Sequence, residues 1–182
     1  AATYKNVTDF SLAQRLYDYS SKFWFMFSTP ILSNGGTSRG LPISCFLNYV
    51  PDSRQGLSDH YDENIWLASM GGGIGGYWGD VRSNGVSTKH GSKSTGSIPF
   101  MHVVDSQMMA FNQGVTRRGS YAAYMDVSHP EIEEFIIMRK ESGGDLHRKC
   151  LNLHNGVNIT SEFLKAVEND EEWRLIDPKT KQ

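Results

Sequence analysis

The chain has 182 residues, with 18 Lys and Arg against 20 Asp and Glu and a net charge of −2. That balance argues against a large nucleic-acid footprint or a polybasic membrane surface, and no apolar run approaches the ~20 residues of a membrane span. The only cysteines are Cys45 and Cys150, too few for a secreted disulfide scaffold, so a reducing cytosol is the expected compartment.

The length suits one domain with a real core, or a piece of a larger one. Ser11-Leu-Ala-Gln14 is a capping box with Ser11 as N-cap, and the stripe that follows predicts a helix over 11–25. Thr29-Pro30 should end the regular pattern, because the residue before proline is pushed out of the α region. Ser33–Gly36 reads as a turn. The apolar run 41–50 predicts a buried strand. A helix over 55–70 follows, with Leu57, Tyr61, Ile65 and Ala68 on its inner face. The glycine run 71–76 breaks it, and 77–82 reads as a short extended piece.

Residues 83–97 form a Ser/Gly/Lys loop, too polar for a core and long enough to serve a function. Ser97-Ile-Pro99 opens a helix that buries Met101, Val104, Met108 and Phe111. After the polar loop 112–119, a strand is expected at 120–124. A second capping box, Ser128–Glu131, starts a helix ending near Arg139-Lys140. A strand at 153–159 and a short helix at 161–167 follow. The closing stretch, Asp177–Gln182, is polar and turn-like, as if cut within a domain. Alternating strands and helices, with strands expected to be buried on both faces, predict an α/β chain with a parallel sheet. Ligands in such folds sit at the carboxyl ends of strands.

Three features could carry chemistry. Cys45, beside Ser44, is either a small buried hydrophobe or a redox thiol facing a pocket. Its one internal partner, Cys150 in His147-Arg-Lys-Cys150, reads as part of an exposed basic loop, so a working partner sulfur is expected outside the chain. Gly71–Gly76 is either a tight turn that allows close packing or a backbone approach to a phosphate. Arg82, Lys89, Lys93, Arg117 and Arg118 lie in or beside polar loops and would make an anion site if they converge at one end of the sheet. Neither H-E-x-x-H nor C-x-x-C occurs, and no metal site is expected. From residues alone the chain is an α/β nucleotide- or phosphate-binding piece with one thiol of open role.

Several of these residues fall in a recognisable order. Ser28-Thr-Pro-Ile-Leu-Ser-Asn-Gly-Gly-Thr37 comes first, then Ser44-Cys45, Asp52-Ser53 and Gly72-Gly-Ile-Gly75. Ile98-Pro-Phe100, Asn112-Gln-Gly114 and Arg117-Arg-Gly119 complete the series. Together they resemble the catalytic (large, α) subunit of ribonucleotide reductase over nearly the whole chain. The resemblance implies a helical N-terminal segment over 1–28, and then, over 29–182, the first half of a ten-stranded α/β barrel with parallel strands.

It implies roles as well. Cys45 would be the redox-active thiol, and Thr29, Ser44 and Gly73 would join it in holding a ribonucleoside diphosphate. The chemistry would be thiyl-radical removal of the ribose 2′-hydroxyl, yielding deoxyribonucleotides. Asp52 and Ser53 would meet the sugar of a regulatory deoxynucleotide (or ATP), and Arg82 and Lys89 its phosphates. Lys89 stands where the family commonly has arginine. Gln113 and Arg117 would relay effector identity to the substrate base. The helix at 55–70 would form a homodimer seam.

In the family the thiyl-forming cysteine and the second redox cysteine lie later in the chain. This chain alone is therefore expected to be inactive, needing the remaining half of the subunit. No cofactor would be bound here. The radical would come from a small metal-bearing β subunit in preference to cobalamin, and reducing power from a thioredoxin- or glutaredoxin-type protein.

Overall fold

The computed structural model describes residues 10–38, 40–89, 91–111 and 118–182. Gln113 and Arg117 lie outside the described residues. The chain divides into two compact units, 1–44 and 45–182.

Among its described residues, the first unit carries two helices. Helix α1, Phe10–Ser21, buries none of its residues. Ser11 lies inside it and is not its cap. The helix stops short of residue 25: Phe23 takes a left-handed φ of 58°, outside the right-handed α region that a continuing helix requires. Helix α2, Thr29–Asn34, begins where a break was expected. Proline is tolerated in a first turn, where its missing N–H has no partner to lose.

The second unit is built on a four-stranded parallel sheet of order β1-β2-β5-β6. The strands are β1 (Cys45–Tyr49), β2 (Gly73–Tyr77), β5 (Ser120–Asp126) and β6 (His154–Asn158). Helix α3 (Arg54–Ser69) links β1 to β2. A hairpin, β3 (Asn84–Ser87) with β4 (Lys93–Thr95), and helix α4 (Ile98–Ala110) lie between β2 and β5. Helix α5 (Ile132–Ile137) and a 3-10 turn at Leu146–Arg148 connect β5 to β6, and α6 (Ser161–Glu168) follows. No helix among the described residues is long and apolar enough to cross a membrane.

Strand side chains alternate between faces. Ile74, Trp78, Tyr121, Ala123 and Met125 enter a core with Met101 and Val104 of α4 and Phe135 of α5. Each large side chain fully buried there contributes about 1.5–3 kcal/mol. The opposite face is not covered: Leu47 is 87% exposed and Tyr49 52%. The expectation of strands buried on both sides is therefore corrected. One face is dry and the other open.

The glycine run is also corrected. Gly71 keeps the expected turn, with a left-handed φ of 74° and its N–H donating to Ala68 O at 2.9 Å, but from Gly73 the run is the central strand β2, paired on both edges, in place of a phosphate cradle. Gly76 shows why glycine is needed. A Cβ there would run into the hydroxyl of Tyr121, which accepts a hydrogen bond from Trp78 Nε1 at 2.9 Å and lies 3.0 Å from His60 Nε2. Asn64 Nδ2 donates to the same His60 nitrogen at 2.9 Å, and its Oδ1 accepts from Asn48 Nδ2 at 2.9 Å. The α3 line that faces the sheet is thus Gly56, His60, Asn64 and Ala68, rotated from the predicted apolar stripe, with Leu57 and Tyr61 at its margin.

Two further expectations change. The loop 83–97 contains the β3–β4 hairpin. The Ser128–Glu131 capping box does not form. Glu131 is buried instead, accepting from Ser97 N and Oγ at 2.7 Å each, and so braces the start of α4.

Candidate functional site

The sheet's two ends hold different groups. At the amino edge, Cys45 opens β1 and is exposed. It is in register with Gly73, which is in register with Ser120. Adjacent strands lie about 4.8 Å apart, and a glycine neighbour places no side chain against the sulfur. Cys45 points to the open face with Leu47 and Tyr49, so the reading of a sealed, buried cysteine does not hold. Ser44, half-buried, ends the first unit, and Thr29 is exposed in the first turn of α2.

Cys150 is placed differently from the expectation. It is buried in the core, not in an exposed loop, and its N–H donates to Met138 O at 3.0 Å. Burial, and then the charges of Asp105 and Glu134, push its thiol up to about 12. Neither cysteine is in a disulfide.

At the carboxyl edge, Asp52 follows β1 and Arg82 follows β2. Arg82 Nε donates to Asp52 Oδ1 and Oδ2 at 2.9 and 2.8 Å, and Nη2 lies 2.8 Å from Oδ2. The bond to Asp52 holds the guanidinium pKa above its ordinary value. Both groups line a cleft of about 500 Å³, with Ser53 and Lys89 on its wall. All four residues expected to meet an effector therefore converge on one space. Ser53 Oγ also caps α3, accepting from Gly56 N at 3.0 Å.

The hairpin turn that presents Lys89 is closed by Thr88 N donating to Ser92 O at 2.7 Å. Lys93 of β4 joins the wall, as do Arg54 and Lys179, which sequence reasoning had not singled out. Arg54 follows directly from the Ser53 cap. Lys179 had no signal beyond its turn-like Asp-Pro-Lys-Thr setting. Among the described residues, Asp52–Arg82 is the one ion pair on this wall. A cleft with five cations and one carboxylate suits a polyanion.

Tyr77 and Asp126 mark the open face near its carboxyl edge, the Tyr77 hydroxyl donating to Asp126 Oδ2 at 2.6 Å. Burial and that bond raise the phenol's pKa. Four strand steps of about 3.3 Å separate Cys45 from Tyr49, so thiol and cleft stand roughly 13 Å or more apart, at opposite ends of the sheet.

The profile of the family described as ribonucleotide reductase, barrel domain, matches residues 43–182. A Frog virus 3 (isolate Goorha) relative is 55% identical over 169 residues, 93% of this chain and 28% of its own length. The ribonucleoside-diphosphate reductase large subunit of Invertebrate iridescent virus 6 is 43% identical, over 96% of this chain and 18% of its own. Among solved structures, the Actinobacillus ureae class Id ribonucleotide reductase alpha subunit superposes with a TM-score of 0.72 at 30% identity. That match covers 87% of this chain and 28% of the other. The chain thus spans less than a third of the length of each of these proteins. The parallel α/β sheet, the structural likeness and a profile match over most of its residues agree, and the chain belongs to the ribonucleotide reductase barrel-domain family.

Proposed function

We propose that this chain is part of a ribonucleotide reductase large subunit and carries a redox thiol and an allosteric deoxynucleotide cleft. One observation supports the reading most directly. Asp52, Ser53, Arg82 and Lys89 meet at the carboxyl edge of a sheet whose amino edge exposes Cys45 beside Gly73.

Cys45 acts with a second thiol supplied by the rest of the subunit. The two sulfurs lose two electrons and two protons and become a disulfide, while the ribose 2′-hydroxyl leaves as water. Thr29, Ser44 and Gly73 hold the ribonucleoside diphosphate. The thiyl radical that opens the reaction forms on a cysteine outside this chain, and the radical source is a metal-bearing small subunit. A dithiol suits the chemistry because another thiol can later reopen its disulfide. The reductant is of thioredoxin or glutaredoxin type, and the compartment is the cytoplasm.

The open face of the sheet becomes the inner wall of a ten-stranded barrel once the remaining strands close over it. Asp52 and Ser53 meet the sugar of the effector, and Arg82 and Lys89 its phosphates. Gln113 and Arg117, between α4 and β5 in sequence, pass effector identity to the substrate base, and the coupling is reciprocal. Helix α3, with Trp66 65% exposed, packs against its copy in a homodimer.

The alternative for the chain taken alone is a nucleotide-binding, dimerising module without turnover. The two separate when the chain is combined with the rest of the subunit and a radical-bearing partner and deoxynucleotide formation is measured. Product supports the reductase reading. Effector binding without product leaves the module.

A further inference from the structure

The cleft has a wall that the effector reading leaves out. Residues 177–180 form a tight turn organised by Asp177, a carboxylate only 4% exposed. Its Oδ1 accepts from Lys179 N at 2.9 Å and Thr180 N at 2.8 Å. Its Oδ2 accepts from Ser83 N at 2.8 Å and Ser83 Oγ at 2.6 Å. Ile176 N donates to Ser128 O at 2.7 Å, fixing the approach to the turn. Ser83 follows Arg82 directly. One buried carboxylate therefore ties the turn that carries Lys179 to the backbone beside Arg82, and both residues line the same cleft. Four hydrogen bonds onto one aspartate, spanning 94 residues of sequence, are a costly way to hold a merely solvated surface lysine. Lys179 borders a space already lined by Arg54, Arg82, Lys89 and Lys93, where a phosphate would relieve the mutual repulsion.

We propose that Lys179 is a phosphate-binding residue of this cleft and that Asp177 is the positioning residue that holds it there. The proposal rests on reading the cleft as a polyphosphate site. The bonds also keep the Asp177 carboxyl near 2, its donors outweighing the upward push of burial. The anchor stays charged throughout the range in which a triphosphate is fully ionised.

The test uses the full-length subunit and inorganic tripolyphosphate as probe, with binding followed by calorimetry at two salt concentrations. Lys179→Ala is expected to weaken binding about tenfold and flatten its salt dependence, while Lys179→Arg stays close to the unmodified protein. Asp177→Ala is expected to weaken binding similarly but to add nothing in the Lys179→Ala background, as a residue acting only through Lys179 must. If Lys179→Ala binds as the unmodified protein does while Arg82→Ala loses affinity, the proposal is overturned and the cleft reading stands. If Asp177→Ala weakens binding equally with or without Lys179, its positioning role is overturned. If Arg82→Ala also has no effect, or tripolyphosphate does not bind at all, the cleft reading itself falls.

Discussion

Arg82 lies edge-on against Asp52, with Nε 2.8 Å and Nη2 2.8 Å from the same carboxylate oxygen. Both are less than a fifth exposed. The pair sits where β1 and β2 deliver their chains to the carboxyl edge, and it fixes the guanidinium plane before any ligand arrives. A planar fork held in this way can offer its outer edge to phosphate oxygens without further loss of freedom. Arg82→Lys keeps the charge but not the fork. It is expected to weaken deoxynucleoside triphosphate binding to the full-length subunit about tenfold, as read by calorimetry. Retained affinity would mean that charge alone matters there.

The two thiols should react very differently. Cys45 is exposed and Cys150 is buried, with its pKa pushed up to about 12. The thiolate is the form that attacks an alkylating agent and displaces its halide. Iodoacetamide at pH 8, followed by peptide mass spectrometry on native protein, is expected to label Cys45 and spare Cys150. In denaturant both should label. Equal native labelling would contradict the placement of Cys150.

Much of the fold was legible because its signals are local. The helix over most of α3, the buried Met101, Val104 and Met108 of α4, and the strands at β1, β5 and β6 all follow from hydrophobic period and turn signals. What could not be read depends on distant partners. Strand β2 has almost no β-propensity of its own, and its glycines make sense only once Tyr121, Leu47 and Tyr124 are seen lying over them. His60 and Asn64 broke the expected apolar stripe because their partners, Tyr121 and Asn48, come from strands. The open sheet face was missed for a related reason: residues such as Leu47 look like core residues whether or not a cover is present. Arg82 and Lys89 were legible as candidate anion ligands from their polar loops, but their meeting with Asp52 and Ser53 was legible only through the family resemblance, since these residues are far apart in sequence and meet through the sheet.

His60 should make the α3–sheet contact sensitive to acid. Its Nε2 faces two donors, Asn64 Nδ2 and the Tyr121 hydroxyl, so the ring there is neutral and a proton on that nitrogen would displace a partner. Burial lowers its pKa from 6.5 to about 4. The unfolded state binds the proton first, so this contribution is complete above pH 6.5 and is lost as pH falls toward 4. It amounts to about 3 kcal/mol at 1.36 kcal/mol per pH unit. Hydrogen exchange of α3 amides, corrected for intrinsic rates, should show protection falling across that window, and His60→Gln should flatten the slope. A slope unchanged by the substitution would assign it to other groups.

Gly76→Ala tests why β2 is glycine-rich. The added methyl would strike the Tyr121 hydroxyl and disturb its bonds to Trp78 and His60. A loss of about 1–3 kcal/mol is expected in denaturant melts, with nucleotide affinity changed far less than stability. A selective loss of affinity with unchanged stability would instead restore a ligand-facing role for that glycine.

The most direct measurement is turnover of a ribonucleoside diphosphate by the full-length subunit carrying Cys45→Ser, supplied with its radical-bearing partner and a dithiol reductant. The account predicts a loss of deoxynucleotide product of at least about a thousandfold with effector binding intact, since a hydroxyl cannot enter the dithiol–disulfide couple. Product formed at the rate of the unmodified enzyme would contradict it.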